Sequence, residues 1–359
     1  MAGRPVPGLY VLVIAAVLLV AGLSIGYEIP RAGTAGAPAP ASSVLSIIAA
    51  GTLGTPFGEV AGLVANTTPG ASAPTASQLY EGSLLVVSAV ATLHQPYDVV
   101  ATADYHLIPL HLYPVPALWE VSFATSPEVL VYDPTVAALD GMNTSNWPQK
   151  VLASGEKLGI ANASTDPNGY NEIFVLELEG LLQNGSLSAL YSHFFDGPVG
   201  GYAAPDPSTT LLEPETSVAS LIQTHAISLF ITYRSYAVSH GLSYVDLAPS
   251  VGLGDLDPSD LAAYANASTS ILTANGTQLV HGAPVLFSAT VPANAPNATL
   301  GALFVHALVS PAGDAILAAD GLTPLFPGWC DDPSALPPML APDVVPLPST
   351  LADQLPSAP

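Results

Sequence analysis

Three short segments rich in small and hydroxyl-bearing residues could bind an anion. In Ala161–Tyr170 (ANASTDPNGY), side-chain oxygens precede Pro167, which we expect in the first turn of a helix. The unpaired backbone N–H groups of a helix start bind oxyanions. Ala50–Thr55 and Glu81–Leu84 have the same character and lie between a predicted strand and a predicted helix. We therefore predict that the three junctions converge on one anion.

The sequence offers little for catalysis or for a resident metal. Cys330 is the only cysteine, which excludes an internal disulfide and a cysteine-based metal site. His106 and His111 are five residues apart, a spacing that does not place two ligands on one helix face. No Ser/His/Asp spacing of a hydrolase stands out. We expect no enzyme activity, no metal site and no cofactor.

The composition excludes nucleic-acid binding and favours an exported protein. Lys and Arg total 5 against 28 Asp and Glu, so the basic surface that nucleic acid needs is missing. Charged residues are only 9% of the 359 residues, well below the ~25% of ordinary globular proteins. Few charges limit repulsion within the protein when its carboxylates are protonated, which suggests that it works in an acidic medium outside the cell. Seven N-x-S/T sequons indicate an extracellular glycoprotein, and we expect only Asn162 to remain bare: Asn66, Asn143, Asn162, Asn184, Asn266, Asn275 and Asn297.

A long apolar segment near the N-terminus predicts a membrane anchor. No charged residue lies between Arg4 and Glu28, and Leu9–Ile25 is almost purely apolar, which matches the ~20 residues that cross a bilayer. We favour an uncleaved anchor helix over residues 1–28 with Arg4 inside, and a cleaved signal peptide that leaves a secreted protein is the alternative. Residues 29–43 (IPRAGTAGAPAPASS) predict a linker that holds the rest of the chain at the extracellular face.

Strands and helices alternate along most of the remaining chain, which predicts an α/β fold. A strand over Val44–Ala49 precedes a helix over Pro56–Ala65, and a strand over Lys157–Ala161 precedes a helix over Asp166–Leu182. Loops at the carboxyl ends of such strands are where open α/β sheets bind ligands. Val285–Val291 is the predicted strand on which the chain returns to its first unit.

Several motifs in order resemble the archaeal-type tungstate/molybdate-binding proteins of ABC transporters. DVVATADYHLIP, DPNGY and ITYRSYA are similar to the family's DVVASADY, DPCGYR and FEYRSVA, and the resemblance covers about Ser43 to Pro327. It implies a two-lobed type II periplasmic-binding-protein fold with the ligand in the cleft. Residues 44–125 and 285–330 would form lobe 1, 126–284 lobe 2, and 331–359 a Pro-rich surface tail without regular structure.

The resemblance also implies which residues bind the oxyanion. Thr52 stands where the family has the Ser of AGSL, and Ser83 keeps the second Ser. Asp166 keeps the carboxylate that approaches the metal of the oxyanion, and Tyr233 keeps the cleft tyrosine. Asn168 stands in place of Cys in the DPCGYR motif, and we include it among the ligand-binding residues.

Thr232 marks a departure from the family, because the family pattern has Glu at this position. The resemblance implies that, in the family, this Glu and the Asp together complete an octahedral arrangement around the metal. We expect Thr232 to donate a hydrogen bond to the anion instead. The expected result is a tetrahedral or at most singly coordinated anion, with a weaker preference for tungstate over sulfate-like ions.

The favoured function is capture of tungstate or molybdate outside the cell, by a monomer, for delivery to an ABC-transporter permease. A sulfate- or phosphate-type oxyanion is the alternative within this class. In a different class, a cell-surface structural or adhesion protein would suit the sequons and the anchor equally well.

Overall fold

The computed structural model describes residues 44–67, 74–273 and 276–356. The predicted anchor and linker and the sequon at Asn275 lie outside these residues. Within them, no single helix is long and apolar enough to cross a membrane. By length and composition only, one pair of helices bent by 68°, Ala298–Leu308 and Pro311–Ala319, passes the same test.

The described residues form strands and helices that alternate over parts of the chain, with runs of consecutive strands between those parts. The strands are β1 (Val44–Ala50), β2 (Thr75–Glu81), β3 (Val99–Thr102), β4 (Val121–Thr125), β5 (Glu128–Tyr132), β6 (Leu158–Ile160), β7 (Phe195–Asp196), β8 (Ala204–Pro205), β9 (Thr210–Leu212), β10 (Leu229–Tyr233), β11 (Tyr244–Asp246), β12 (Ser268–Thr273), β13 (Gly276–His281), β14 (Leu286–Thr290), β15 (Thr323–Cys330) and β16 (Val344–Pro346). The α-helices are α1 (Gly54–Thr67), α2 (Ser83–Ala91), α3 (Leu107–Leu112), α4 (Trp147–Ser154), α5 (Pro167–Asn184), α6 (Ser188–Tyr191), α7 (Val218–Gln223), α8 (Arg234–Ser239), α9 (Pro258–Tyr264), α10 (Ala298–Leu308), α11 (Pro311–Ala319) and α12 (Ser349–Ala352). Short 3₁₀ helices cover Gly51–Leu53, Ala137–Leu139, Glu215–Ser217, Pro333–Ala335 and Ala341–Asp343.

Two mixed sheets organise these elements. The first sheet has the strand order β16-β15-β4-β14-β3-β1-β2, and the second has β11-β5-β10-β6-β9. In the first sheet β1 is parallel to both β2 and β3, so the loops that follow these strands emerge at one edge. In the second sheet β6 is parallel to β9 and β10, which brings the loop before α5 close to the ends of β9 and β10. Parallel pairing therefore collects the predicted junctions at strand carboxyl ends.

Helix α5 begins where the sequence predicts it. Asp166 is its N-cap residue, and Pro167 occupies the first turn, where a missing N–H removes no hydrogen bond. Gly185 ends the helix in the left-handed conformation, with φ of 68°. Every residue from Pro167 to Gly180 is buried, so packing fixes the helix start relative to the second sheet.

Residues 331–356 of the Pro-rich tail contain regular structure, and the expectation that the tail has none is wrong. β16 pairs parallel to β15 at the edge of the first sheet, and proline is tolerated at sheet edges because one row of N–H groups there needs no partner. Leu347 and Leu351 are buried, and they pack with Tyr105 and Leu286. Apolar side chains spaced between the prolines therefore tie the tail to the first sheet.

Candidate functional site

Two of the three predicted junctions line one cavity between the elements of the first and second sheets, and the third borders it. The cavity has a volume of about 490 Å³. One wall comes from the end of β2 and the start of α2, and the other comes from the segment before α5 and from residues 212–216. Two glycines allow these walls to approach. A Cβ atom at Gly51 would lie 2.9 Å from Thr216 Cγ2, and one at Gly82 would overlap the carbonyl oxygen of Thr165.

Thr52 and Ser83 directly follow these glycines and are buried, with 6% and 1% of their surface exposed. The Ser83 hydroxyl accepts a hydrogen bond from the backbone N–H of Ala103 at 3.0 Å. The Thr52 hydroxyl has no hydrogen-bond partner among the described residues. Leaving a buried polar group unpaired costs free energy, and donation to an anion oxygen would recover it. Thr52 is therefore a candidate donor to a bound anion.

Asp166 lines the cavity at the start of α5. One of its carboxylate oxygens accepts the backbone N–H of Asn168 at 3.1 Å, so the side chain caps the helix. Burial raises the pKa of Asp166 to about 6, although the N–H of Asn168 acts in the opposite direction. The capping role and a position in the cavity therefore coexist in one residue.

Glu215 also lines the cavity, and the site prediction did not include it. It begins a short 3₁₀ helix and is 3% exposed. Burial raises its pKa well above the ordinary value, and the nearby charge of Asp166 raises it further. The available sequence signal was the acidic pair around Pro214. Acidic residues are common at any helix start, so that signal did not single out a ligand site.

Thr232 is fully buried near the end of β10, and its hydroxyl donates a hydrogen bond to Glu215 at 2.8 Å. Its one hydroxyl proton is therefore engaged by a carboxyl group in this structure. Thr232 has no carboxyl group of its own, but the carboxyl group of Glu215, which lies on a different element, is hydrogen-bonded to it. The predicted contact between Thr232 and the anion remains a prediction.

Asn168 lies one residue inside α5 and is fully buried. Its amide donates to Glu172 at 2.5 Å and to the carbonyl oxygen of Ile231 at 3.0 Å, whereas its own oxygen has no partner in the described part of the chain. Glu172 in turn accepts the backbone N–H of Ala161 with both oxygens at 3.1 Å. Asn168 thus links the start of α5 to β10 and to the end of β6.

Tyr233 is also fully buried, at the last position of β10. Its hydroxyl lies 3.5 Å from the amide nitrogen of Asn171, which donates to Glu128 at 3.0 Å. Burial raises the pKa of Glu128 well above the ordinary value, and Glu215 adds to the shift. The second sheet therefore carries further buried carboxyl groups beside the residues predicted to bind the ligand.

The cavity is acidic. Four of the described residues that line it are carboxylic acids, and none is Lys, Arg or His: Glu81, Asp166, Glu213 and Glu215. A carboxylate close to an oxyanion is tolerable only if it is protonated or bonds to a positive centre, because like charges repel strongly at short range. An oxyanion is therefore compatible with this lining only if its central atom can accept carboxylate oxygens or if the carboxyl groups are protonated.

Comparisons with known proteins show which family the chain resembles. The family model of bacterial extracellular solute-binding proteins matches residues 45–323. An uncharacterized solute-binding protein of Methanoculleus marisnigri is 31% identical over 270 residues, which are 71% of this chain and 76% of the relative. The molybdate/tungstate-binding protein WtpA of Thermococcus kodakarensis is 27% identical over 243 residues, which are 65% of this chain and 68% of the relative.

Among solved structures, the periplasmic molybdate-binding protein of Azotobacter vinelandii has a TM-score of 0.53 at 15% identity, over 78% of this chain and 98% of that protein. This likeness shows a mixed α/β fold like that of periplasmic binding proteins. Because the family model matches more than three quarters of the sequence, the chain belongs to the bacterial extracellular solute-binding proteins.

Proposed function

We propose that this protein captures tungstate or molybdate outside the cell and delivers the anion to the permease of an ABC transporter. The observation that carries the proposal is the pair Asp166 and Glu215, two interacting carboxyl groups in a cavity with no basic side chain among its described lining residues. The metals of tungstate and molybdate can accept further oxygen ligands, whereas sulfate cannot expand its coordination. The relative from Thermococcus kodakarensis, which is named for molybdate and tungstate binding, supports the same ligand class.

Glu215 changes the expected coordination of the metal. The sequence-based expectation of a tetrahedral or singly coordinated anion depended on Thr232 leaving the site with one carboxylate. Since Thr232 instead positions Glu215 through a 2.8 Å hydrogen bond, two carboxyl groups are available. We propose that Asp166 and Glu215 both bond to the metal and give it six oxygen ligands.

The oxygens of the anion would be bound without cations. The Thr52 hydroxyl lacks a partner among the described residues, and Ser83 begins α2. Backbone N–H groups at such helix starts bind anions through their positive partial charge. Tyr233 contacts Asn171, and Asn168 contacts Glu172. Through these contacts the two residues would hold the buried carboxyl groups on the second-sheet side in position.

Ligand capture would involve closure of two lobes. Residues 44–125 and 285–330, joined by the ordered tail, would form the first lobe around the first sheet, and residues 126–284 would form the second lobe. The strands support this division, because β4 ends at Thr125 in the first sheet and β5 begins at Glu128 in the second. A closed pair of lobes is the state that a permease would recognise.

We further propose an extracellular location for a monomeric, glycosylated protein held by the N-terminal anchor. The apolar segment Leu9–Ile25, the linker and the seven sequons support this part of the proposal.

A thermal-shift screen tests the ligand class. The protein without residues 1–43 is heated with tungstate, molybdate, sulfate or phosphate. A specific ligand at 100 times its Kd should stabilise the protein by about 2.7 kcal/mol. We expect this with tungstate and molybdate. Stabilisation by sulfate or phosphate alone would support the alternative anions, and no stabilisation by any anion would favour a structural or adhesion protein.

X-ray absorption on the tungstate complex tests the coordination. Six oxygen neighbours are expected in the parent protein, and fewer are expected after Glu215→Gln. A four-oxygen shell in the parent protein would contradict bonding by Asp166 and Glu215.

A further inference from the structure

A hydrogen bond joins the two proposed lobes close to the cavity. The Tyr170 hydroxyl donates to a carboxylate oxygen of Asp104 at 2.5 Å. Tyr170 lies in the first turns of α5, on the second-sheet side, and is 3% exposed. Asp104 follows β3 of the first sheet. The bond therefore forms only when the start of α5 lies against the loop after β3.

His106, which lies on the same first-sheet side, orients the carboxylate of Asp104. Its other carboxylate oxygen accepts the backbone N–H of His106 at 2.9 Å and lies 2.8 Å from the imidazole Nδ1 of His106. Burial raises the pKa of Asp104, but the charge of His106 and the hydrogen bonds from His106 and Tyr170 outweigh it, so the pKa is lowered. Tyr170 thus donates to a charged and preoriented acceptor. Hydrogen bonds of this kind are about twice as strong as those between neutral groups.

Each end of this bond is adjacent to a residue of the proposed anion site. On the first-sheet side, Ala103 precedes Asp104 and donates its N–H to Ser83 at 3.0 Å. On the second-sheet side, Asp166 lies one helical turn before Tyr170. A movement of the first-sheet side away from the second that separates Tyr170 from Asp104 would therefore also separate Ser83 from Asp166.

We propose that Tyr170 is a positioning residue, which holds the lobes in the closed, ligand-binding arrangement through its hydrogen bond to Asp104. It does not contact the anion. This inference rests on the proposed function for its consequence on tungstate affinity, whereas the contribution of the bond to closure can be measured without a ligand. Loss of the bond would lower the population of the closed state, and the apparent affinity falls with the competent fraction.

Tyr170→Phe tests the proposal, with Tyr191→Phe as the matched control. Tyr191 is a buried tyrosine of the second-sheet side whose hydroxyl has no partner among the described residues. Titration calorimetry should show tungstate affinity roughly 10- to 100-fold weaker in Tyr170→Phe, the range for a lost hydrogen bond to a charged group. Tyr191→Phe should bind like the parent protein. Equal tungstate affinity in Tyr170→Phe and Tyr191→Phe would overturn the proposal.

Two further measurements separate positioning from a general structural defect. At saturating tungstate, X-ray absorption should give the same oxygen shell for Tyr170→Phe and parent, because the residue does not touch the anion. A changed shell would make Tyr170 a ligand-site residue and would overturn the positioning role.

Asp104→Asn is the second variant, and it should weaken binding without adding to the effect of Tyr170→Phe in the double variant. Additive effects would show that the two residues act separately.

Small-angle X-ray scattering of the ligand-free proteins keeps the test independent of the ligand. If no anion stabilises the parent protein, the proposed function fails, but the bond is still tested. Tyr170→Phe should have a larger radius of gyration than the parent and Tyr191→Phe. Identical values in a protein that binds no anion would overturn the positioning role as well.

Discussion

Glu215 is buried beside a neutral donor rather than a cation, and this determines how it behaves. The Thr232 hydroxyl at 2.8 Å stabilises the charged form, but burial and the nearby Asp166 act in the opposite direction and raise the pKa of Glu215. Such a group is costly to ionise in the empty protein. A bond between the metal of the ligand and a Glu215 oxygen would offset the cost of ionising Glu215. A substitution of Glu215 is therefore the most direct test of ligand specificity.

We expect Glu215→Gln to weaken tungstate binding by about 1.5–3 kcal/mol, the scale of an interaction with a charged group. The matched control is Glu213→Gln, which changes another acid of the same cavity lining and should alter binding by less than about 0.5 kcal/mol. Calorimetric titration with tungstate measures both variants. Equal losses in the two variants would show that general acidity, and not the position of Glu215, matters.

The raised pKa of Asp166 predicts a pH dependence of stability in the ligand-free protein. Its pKa is about 6 in the folded chain and near 3.8 when exposed, so the folded state binds more protons between these values. The contribution of Asp166 to the free energy of unfolding is therefore full below about pH 4 and is lost as the pH rises toward 6.

Asp166→Asn isolates this contribution, because Asn also caps helices well but does not titrate. In urea unfolding between pH 4 and 7, the stability of the parent relative to Asp166→Asn should fall up to about pH 6 and then stay constant. A difference that grows in favour of the parent as the pH rises would contradict the raised pKa.

At the scale of elements, the starts of α2 and α5 approach each other without a side chain between them. Gly82 precedes α2, and a Cβ atom there would overlap the carbonyl oxygen of Thr165, which belongs to the segment before α5. The backbone of Thr165 cannot move aside as easily as the end of a flexible side chain can. The close approach of the two helix starts therefore depends on a residue without a side chain.

Gly82→Ala should consequently cost about 1–3 kcal/mol of tungstate binding, the typical price of forcing atoms into filled space. Gly62→Ala is the control, because no atom beyond the adjoining backbone of its own helix lies within 4 Å of a Cβ atom at that position. The control should bind normally and should gain up to ~1 kcal/mol of stability from its better helix propensity. If Gly82→Ala binds tungstate like the parent, the two helix starts do not need this approach to bind the anion.

At the scale of the whole molecule, the chain has very few positive charges with which to bind an anion. Only 5 Lys and Arg are available among 359 residues, so attraction between opposite charges cannot hold two lobes together over a wide surface. We therefore expect specific hydrogen bonds, such as the one between Tyr170 and Asp104, to contribute to the proposed closure. A low total charge also limits repulsion between the remaining positive charges when the carboxylates are protonated. The acidic medium expected from the composition rests on this argument and stays a prediction.

The proposed membrane anchor predicts the form of the mature protein. Protein isolated from membranes should retain Arg4 and the apolar segment Leu9–Ile25, because an uncleaved anchor is expected. Peptide sequencing of the purified protein measures this. A mature N-terminus within Gly33–Ser43 would instead show a cleaved signal peptide.

Local patterns in the sequence were sufficient to predict much of the fold. The cap at Asp166 and the proline after it predict the start of α5, and the structure confirms that start. The apolar run of β1 was also predicted within one residue, Val44–Ala49 against Val44–Ala50. The junction at Glu81 implied a strand before it, but no range was predicted for that strand, because β2 is an edge strand whose side chains are mostly exposed and has no apolar run.

The sequence by itself determined the alternating α/β elements, the caps and hydroxyls of the three junctions, and the family motifs. Each of these depends on residues close together in the chain. The tertiary structure decided what distant residues do: Glu215 reaches Thr232 across 17 positions and Tyr170 reaches Asp104 across 66. Strand pairing and helix packing bring these groups together, and no local preference encodes that pairing. For this reason the second carboxyl group of the cavity and the bond across the cleft became evident only in three dimensions.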